Sequence, residues 1–372
     1  MCVTPISQEK LSNMHKYKYQ YTNHSFVYNK MMSPMLNVVV NYLPYKLAPN
    51  LITAFSLMCN IIAFVVVYFE AGFDFSKKLK SSTCIIVGVT QLLYQLLDNV
   101  DGKQARRTGT STPFGMLMDH GCDVFTNIFT AFNLSHLFLV GNEGLCSFSV
   151  FFGLLFGFYM MTFEDYKVGQ MIFGVVNGVD EGNFFIFLFG VTVGITGQDW
   201  LNYVALSGCN LTVGKICGLI LFTVSFSTVV NLLRHSYTKH GLFQTLKILV
   251  DCLWFYNSVV MPIIYAEYYP SYYKEFSWLI IISGNLLFAR TTLDLIIKTI
   301  TLDKVALIPL AIITNIVYLI SFFSNDILRT YSLLTITTTQ AVELIMYVII
   351  RSNEVTNFLG IKIFTIDPKI PI

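Results

Sequence analysis

The sequence predicts an all-α, polytopic transmembrane helix bundle of about ten spans with an N-terminal interfacial helix. Three observations carry this. Charged residues make up 12% of the 372 residues, about half the share of an ordinary soluble domain, while apolar residues reach 54%. So few charges cannot cover a soluble surface of this size. Uncharged apolar runs long enough to cross a bilayer recur along the chain. The net charge is only +2, which offers no basic field for nucleic acid, and the apolar content excludes a disordered chain.

The elements follow in order. The first 25 or so residues are polar, with Lys10, Lys16, Lys18 and Lys30 nearby. No apolar stretch follows a short basic start, so a cleaved signal peptide is not expected. Residues 34–45 alternate apolar and polar positions too briefly to cross, as an interfacial helix does. Residues 47–69 carry no charge and form the first expected span; 82–97, ending on Asp98, form the second; 114–140 and 146–163 the third and fourth. The fifth, 183–196 extended by 200–206, is interrupted by Gly197, Gln198 and Asp199. Residues 213–233, 246–265, 278–297, 305–323 and 331–350 complete the set. The expected organisation is an N-terminal segment over 1–46, a core over 47–235 and C-terminal helices over 236–372. The eight cysteines form no CxxC pair and sit mostly in apolar runs, as small buried hydrophobes do.

Lysine and arginine favour cytosolic termini. In that topology Lys103, Arg106, Arg107, Lys167, Arg234, Lys239, Lys298, Lys304 and Arg351 face the cytosol. Lys215, Lys274 and Arg329 fall opposite, together with a cluster at Lys77, Lys78 and Lys80 that counts against the rule.

Carboxylates inside spans are expensive and need a reason. Asp98 and Asp101 end the second span; Asp119 and Asp123 open the third. Spacings of three and four put each pair on one helix face, and the short connection makes the two helices antiparallel neighbours. Four carboxylates then converge at one depth and repel unless cations join them. Oxygen ligands in this number suit Mg²⁺ or Mn²⁺, two ions in all. Gly102, Ala105 and Gly115 let a phosphate approach backbone, Arg106 can fork onto it and Lys103 adds a point charge. Such a set reads as phosphoryl transfer. The competing reading is a cation-coupled transporter, which predicts a second acidic cluster in an inverted repeat; residues 190–372 contain none.

The spelled pattern is Asp98-x₂-Asp101-Gly102-x₂-Ala105-Arg106-x₈-Gly115-x₃-Asp119-x₃-Asp123. It resembles the signature of the CDP-alcohol phosphotransferase family, with all eight fixed positions present. Asp98–Arg107, Asp119-His-Gly-Cys-Asp123 and Pro49–Thr53 resemble the eukaryotic choline/ethanolamine phosphotransferase branch. The motif resemblance covers about residues 40–185.

The resemblance implies transfer of phosphocholine or phosphoethanolamine from CDP-choline or CDP-ethanolamine to diacylglycerol, releasing CMP. A CDP-diacylglycerol-dependent synthase is the alternative within the family. Residues 47–235 would be the catalytic core, and 236–372 would serve a lipid chamber or dimer contacts. Asp98, Asp101 and Asp119 would hold metal, with Asp123 as shared ligand or base. Asp101, Gly102, Ala105 and Arg106 would line the nucleotide side, with Asn50 beside them. The base is His120 oriented by Glu181 of Asn177-Gly-Val-Asp-Glu-Gly182, or else Asp123. Met116 departs from the acidic residue the branch implies there. The resemblance also implies a homodimer in the endoplasmic reticulum or Golgi membrane, its active site facing the cytosol.

Overall fold

Helix starts and stops in this chain are written in Pro, Gly and Thr. Pro49 opens α3 (Pro49–Ala71) at its first turn, where a missing N–H costs nothing, and Gly72 ends it at φ 62°. α4 (Ser81–Thr108) stops at Gly109, whose left-handed φ of 67° lets the next amide return to the Ala105 carbonyl. Three residues later Thr112 accepts a hydrogen bond from the Gly115 amide at 3.0 Å and starts α5 (Pro113–Phe138), again with Pro in the first turn. This tight turn returns α5 antiparallel to α4.

The computed structural model describes residues 4–366 except 18, 143, 176, 207, 209 and 305–308, so Lys18 and Cys209 lie outside the described residues. The described chain is essentially all α. Ahead of the bundle lie α1 (Gln8–Ser12) and α2 (Ser33–Tyr42). After α5 come α6 (Gly144–Phe151), a π-helical turn over Phe152–Phe156, α7 (Gly157–Val168), α8 (Asp180–Thr196), α9 (Val213–Tyr268), α10 (Pro270–Thr301), α11 (Pro309–Phe322) and α12 (Asp326–Leu359). β1 (Tyr21–Asn23) and β2 (Met171–Phe173) pair in parallel, Tyr21 opposite Met171.

Four of these helices, α3, α4, α10 and α12, are long and apolar enough to cross a membrane, and shorter apolar helical stretches cover 213–224 and 310–322. The chain is a multi-pass membrane protein. Ten crossings are more than this set, and the differences have physical causes. α5 is central: Thr126, Thr130, Asn133 and His136 are all buried, so its hydropathy is diluted by side chains that face protein rather than lipid. The expected fourth span is divided by the π-helical turn, and α8 has only 17 residues. α9 breaks at Gly241, φ 77°, between the spans expected over 213–233 and 246–265. Side chains over 243–259 lie outside the described residues, as does the start of the span expected over 305–323. α2 stands where the interfacial helix is expected. It buries Leu36 and Val40 but exposes Met35, Val38 and Tyr42, a distribution suited to the membrane surface.

α3, α4 and α5 form the centre, with α8 along α4 and α10 bridging α5 to α12. The α4–α8 contact depends on glycine. A Cβ on Gly190 would sit 2.8 Å from Gly88 Cα and 2.9 Å from the Cys84 carbonyl, both backbone. Gly190→Val is therefore expected to wedge the helices apart and cost about 1–3 kcal/mol. Gly178→Ala, with open space around it, is the control; equal thermal midpoints for the two variants in detergent would contradict the packing.

Candidate active site

The cytosol-predicted helix ends meet at one place. The C-terminus of α4, the N-termini of α3 and α5, and residues 361–366 beyond α12 enclose a cavity of about 320 Å³, the size range of small-ligand sites. On its floor Asp98, Asp119 and Asp123 each offer an oxygen, all within 4.8 Å of one another. Spacing alone placed four acids here, and the structure separates one of them. Asp101 is buried at 4% exposure and lines the same cavity, but its Oδ2 takes a short hydrogen bond from Thr53 Oγ1. Asp123 Oδ1 accepts from Tyr94 at 2.8 Å. Asp98 Oδ1 is buried without a partner. An orphaned carboxylate oxygen beside two further carboxylates is a donor set that fits a hard divalent cation.

Around this floor stand the other expected residues. Gly102, Ala105, Arg106, Gly115, Asn50 and the buried Met116 line the cavity. A Cβ on Gly102 would meet only the Arg106 guanidinium at 3.4 Å, and one on Gly115 would meet only Thr112 and Asn50 at 3.6 and 3.8 Å. No neighbour forbids a side chain at either position, so these glycines leave room for a ligand rather than for protein. Asn50 Nδ2 donates to the Ile363 carbonyl at 2.8 Å, tying the tail to the start of α3.

Two expected residues stand elsewhere. Lys103 turns away from the cavity to Asn37 Oδ1 at 2.7 Å and Ser33 Oγ at 3.1 Å, holding α2 against α4. Its position, one residue past Gly102, sends it around the helix from Asp98 and Asp101. Glu181 does not reach His120. Its carboxylate accepts from Ser25 Oγ at 2.6 Å, the Val27 amide at 3.1 Å and the Asn177 amide at 3.0 Å. His120 is buried and lines the cavity, and its Nδ1 has no partner. The Tyr19 ring stands edge-on to it, with centroids 5.4 Å apart.

Several residues here escape the motif. Tyr94 lies one turn before Asp98 on the same face of α4, a signal the i, i+4 spacing contains. Thr53 belongs to the Pro49–Thr53 segment. Tyr19, Tyr21, Asn23 and Tyr28 come from the N-terminal segment, and Asp180, 2% exposed, from α8. Burial, then the nearby Asp119 and Asp165 carboxylates, push the Tyr19 phenol well above its usual range, so it stays neutral.

Comparison with known proteins places the segment that carries this site in a family. Residues 46–176 match the family described as CDP-alcohol phosphatidyltransferase. An uncharacterized CDP-alcohol phosphatidyltransferase class-I family protein 2 of Dictyostelium discoideum is 33% identical over 233 residues, 62% of this chain and 54% of that protein. The class-I family protein 3 of the same organism is 25% identical over 98% of this chain and 99% of its own length. Choline/ethanolaminephosphotransferase 1 of Arabidopsis thaliana is 33% identical over 202 residues, 52% of this chain and 49% of that protein. The chain thus matches about half the length of the first and third of these relatives. The segment from the start of α3 to beyond β2, which supplies all four aspartates, is a CDP-alcohol phosphatidyltransferase domain.

Proposed function

We propose that the chain transfers phosphocholine or phosphoethanolamine from the CDP-alcohol to the free hydroxyl of diacylglycerol, giving phosphatidylcholine or phosphatidylethanolamine and CMP. One observation carries this reading: Asp98, Asp119 and Asp123 converge within 4.8 Å on a cavity rimmed by Gly102, Ala105 and Arg106. The name of the Arabidopsis relative, choline/ethanolaminephosphotransferase 1, supports the choice of head group.

Asp98, Asp119 and Asp123, with Asp101 beside them, would hold Mg²⁺ or Mn²⁺, two ions in this reading. An ion held there would supply positive charge to neutralise the pyrophosphate and stabilise the departing phosphate. The chain does the rest. Gly102 and Gly115 admit the pyrophosphate close to backbone, and Arg106 forks onto it. His120 takes the proton of the acceptor hydroxyl on its unpartnered nitrogen. Asp123 is the poorer base because it accepts from the Tyr94 hydroxyl and would be a metal ligand. The hydroxyl oxygen bonds to the phosphorus that bears the head group. The bond from that phosphorus to the bridging oxygen breaks, and CMP leaves with the electron pair. The cations Arg106, Arg107, Lys298 and Arg351 stand at the cavity's end of the bundle, which we place at the cytosolic face of an endoplasmic reticulum or Golgi membrane. A homodimer is part of the same reading.

The test is synthesis by purified protein from diacylglycerol and radiolabelled CDP-choline or CDP-ethanolamine, with Mg²⁺, Mn²⁺ or chelator. Metal-dependent phospholipid is expected, and Arg106→Gln should raise the donor KM about tenfold, the loss of one charge-assisted pair. Folded protein that makes product from neither donor sinks the reading; product from CDP-diacylglycerol and a soluble alcohol replaces it with the synthase.

A further inference from the structure

The N-terminal segment is fastened over the cavity by an unusually complete set of hydrogen bonds. β1 pairs with β2, and the His24 and Phe26 amides extend the contact to the Phe173 and Val175 carbonyls at 3.0 and 3.3 Å. Asn23 Nδ2 donates to Asp180 Oδ2 at 2.9 Å. Ser25 Oγ and the Val27 amide both donate to Glu181 Oε1. Gln95 Nε2, one turn before Asp98 on α4, donates to the Asp180 carbonyl at 2.8 Å, so the clasp is fixed to the helix that carries the site.

The clasp holds aromatic rings over the cavity. Tyr19 and Tyr21 stack with centroids 5.6 Å apart and planes at 21°. Both rings, and Tyr28 beyond them, line the cavity and remain about 40% exposed or less inside it. Tyr19 lies against His120. Asp180 faces the same space with Asn23.

We infer that Glu181 is a positioning residue that holds residues 19–28 as a roof, and that Tyr19 and Tyr21 form the wall that receives the donor's cationic head group. The inference rests on the phosphotransferase reading above and names what it leaves open. With the pyrophosphate between the aspartates and Arg106, and Tyr19 against His120, the head group extends toward Tyr19 and Tyr21. A quaternary ammonium presents methyl groups and a diffuse charge, which aromatic faces bind without donors or acceptors. A primary ammonium gives up hydrogen bonds to water at these rings, because Asp180, 2% exposed, already accepts from Asn23 and Asn177. The wall therefore selects CDP-choline over CDP-ethanolamine.

Kinetics on full-length protein in detergent, with Mg²⁺ and diacylglycerol, test this. The wild type is expected to show the lower KM for CDP-choline. Tyr21→Leu should raise that KM about tenfold, the worth of one good cation–π contact, and change the KM for CDP-ethanolamine by less than about threefold. Tyr21→Phe keeps the ring and should restore the wild-type ratio. Glu181→Ala should raise both KM values and leave the pH profile of kcat in place. Thermal midpoints report whether each variant is folded. A folded Tyr21→Leu with the wild-type KM ratio, or a wild type that prefers CDP-ethanolamine, overturns the wall. A shifted pH profile in Glu181→Ala with unchanged KM overturns the clasp and returns Glu181 to the base. Wild-type protein inactive with both donors is a failure of the phosphotransferase reading instead.

Discussion

Asp119→Asn is expected to lower phospholipid synthesis by at least about 10³-fold and, at the same time, to stabilise the metal-free protein. Loss of a carboxylate that positions metal removes several kcal/mol of transition-state stabilisation, and each 1.4 kcal/mol is tenfold. The stability effect has the opposite sign because three carboxylates within 4.8 Å repel when no cation joins them. At that distance one ionised pair costs on the order of 3 kcal/mol at an effective dielectric of 20. Asn keeps the shape and removes one charge. Thermal unfolding followed by fluorescence should therefore show a higher midpoint for the variant in chelator. Saturating Mg²⁺ should raise the wild-type midpoint, since a ligand at a hundred times its Kd adds about 2.7 kcal/mol, and should leave the variant nearly unmoved. A variant less stable in chelator, or one that Mg²⁺ still stabilises fully, would show that these acids do not form a metal site.

The aspartate floor was legible because it is local. Asp98, Asp101, Asp119 and Asp123 sit on two helices joined by a turn, and the 3.6-residue period decides which way each points. The same period reaches Tyr94, one turn earlier, without any motif. The roof was not legible, because Tyr21–Asn23 meets Met171–Phe173 across about 150 residues of chain and three-residue strands leave no periodic pattern. Glu181 illustrates the difference. Its sequence neighbourhood marks it as important, but only the fold shows that its oxygens are spent on Ser25, Val27 and Asn177. The tail over 361–366 enters the cavity because Gly360, at φ 65°, turns the chain back at the end of α12. The span count drifted for another reason: hydropathy measures lipid contact, and a central helix such as α5 meets protein on all sides.

The second large effect is far from the chemistry. Glu343→Ala is expected to destabilise the bundle by about 3–5 kcal/mol, the cost of leaving one member of a buried ion pair without its partner. Arg290 on α10 donates through Nε to both Glu343 oxygens on α12 at 2.9 Å, with exposures of only 8% and 9%. Its guanidinium lies 3.6 Å from the Tyr347 ring centroid. Tyr347 in turn donates to Asp294 Oδ1 at 3.0 Å, and Lys298 pairs with the other Asp294 oxygen. Charges at this depth persist only when matched, so the network fastens α12 to α10, and α10 packs on α5, which carries Asp119 and Asp123. The midpoint of unfolding should fall by about 5–10 °C in the single variant. Arg290→Met with Glu343→Leu should recover most of it, because an apolar pair of similar volume no longer requires a buried charge to be solvated, and methionine keeps contact with the Tyr347 ring. If the double variant is as unstable as Glu343→Ala, the loss belongs to packing at the α10–α12 contact and the ion pair contributes little.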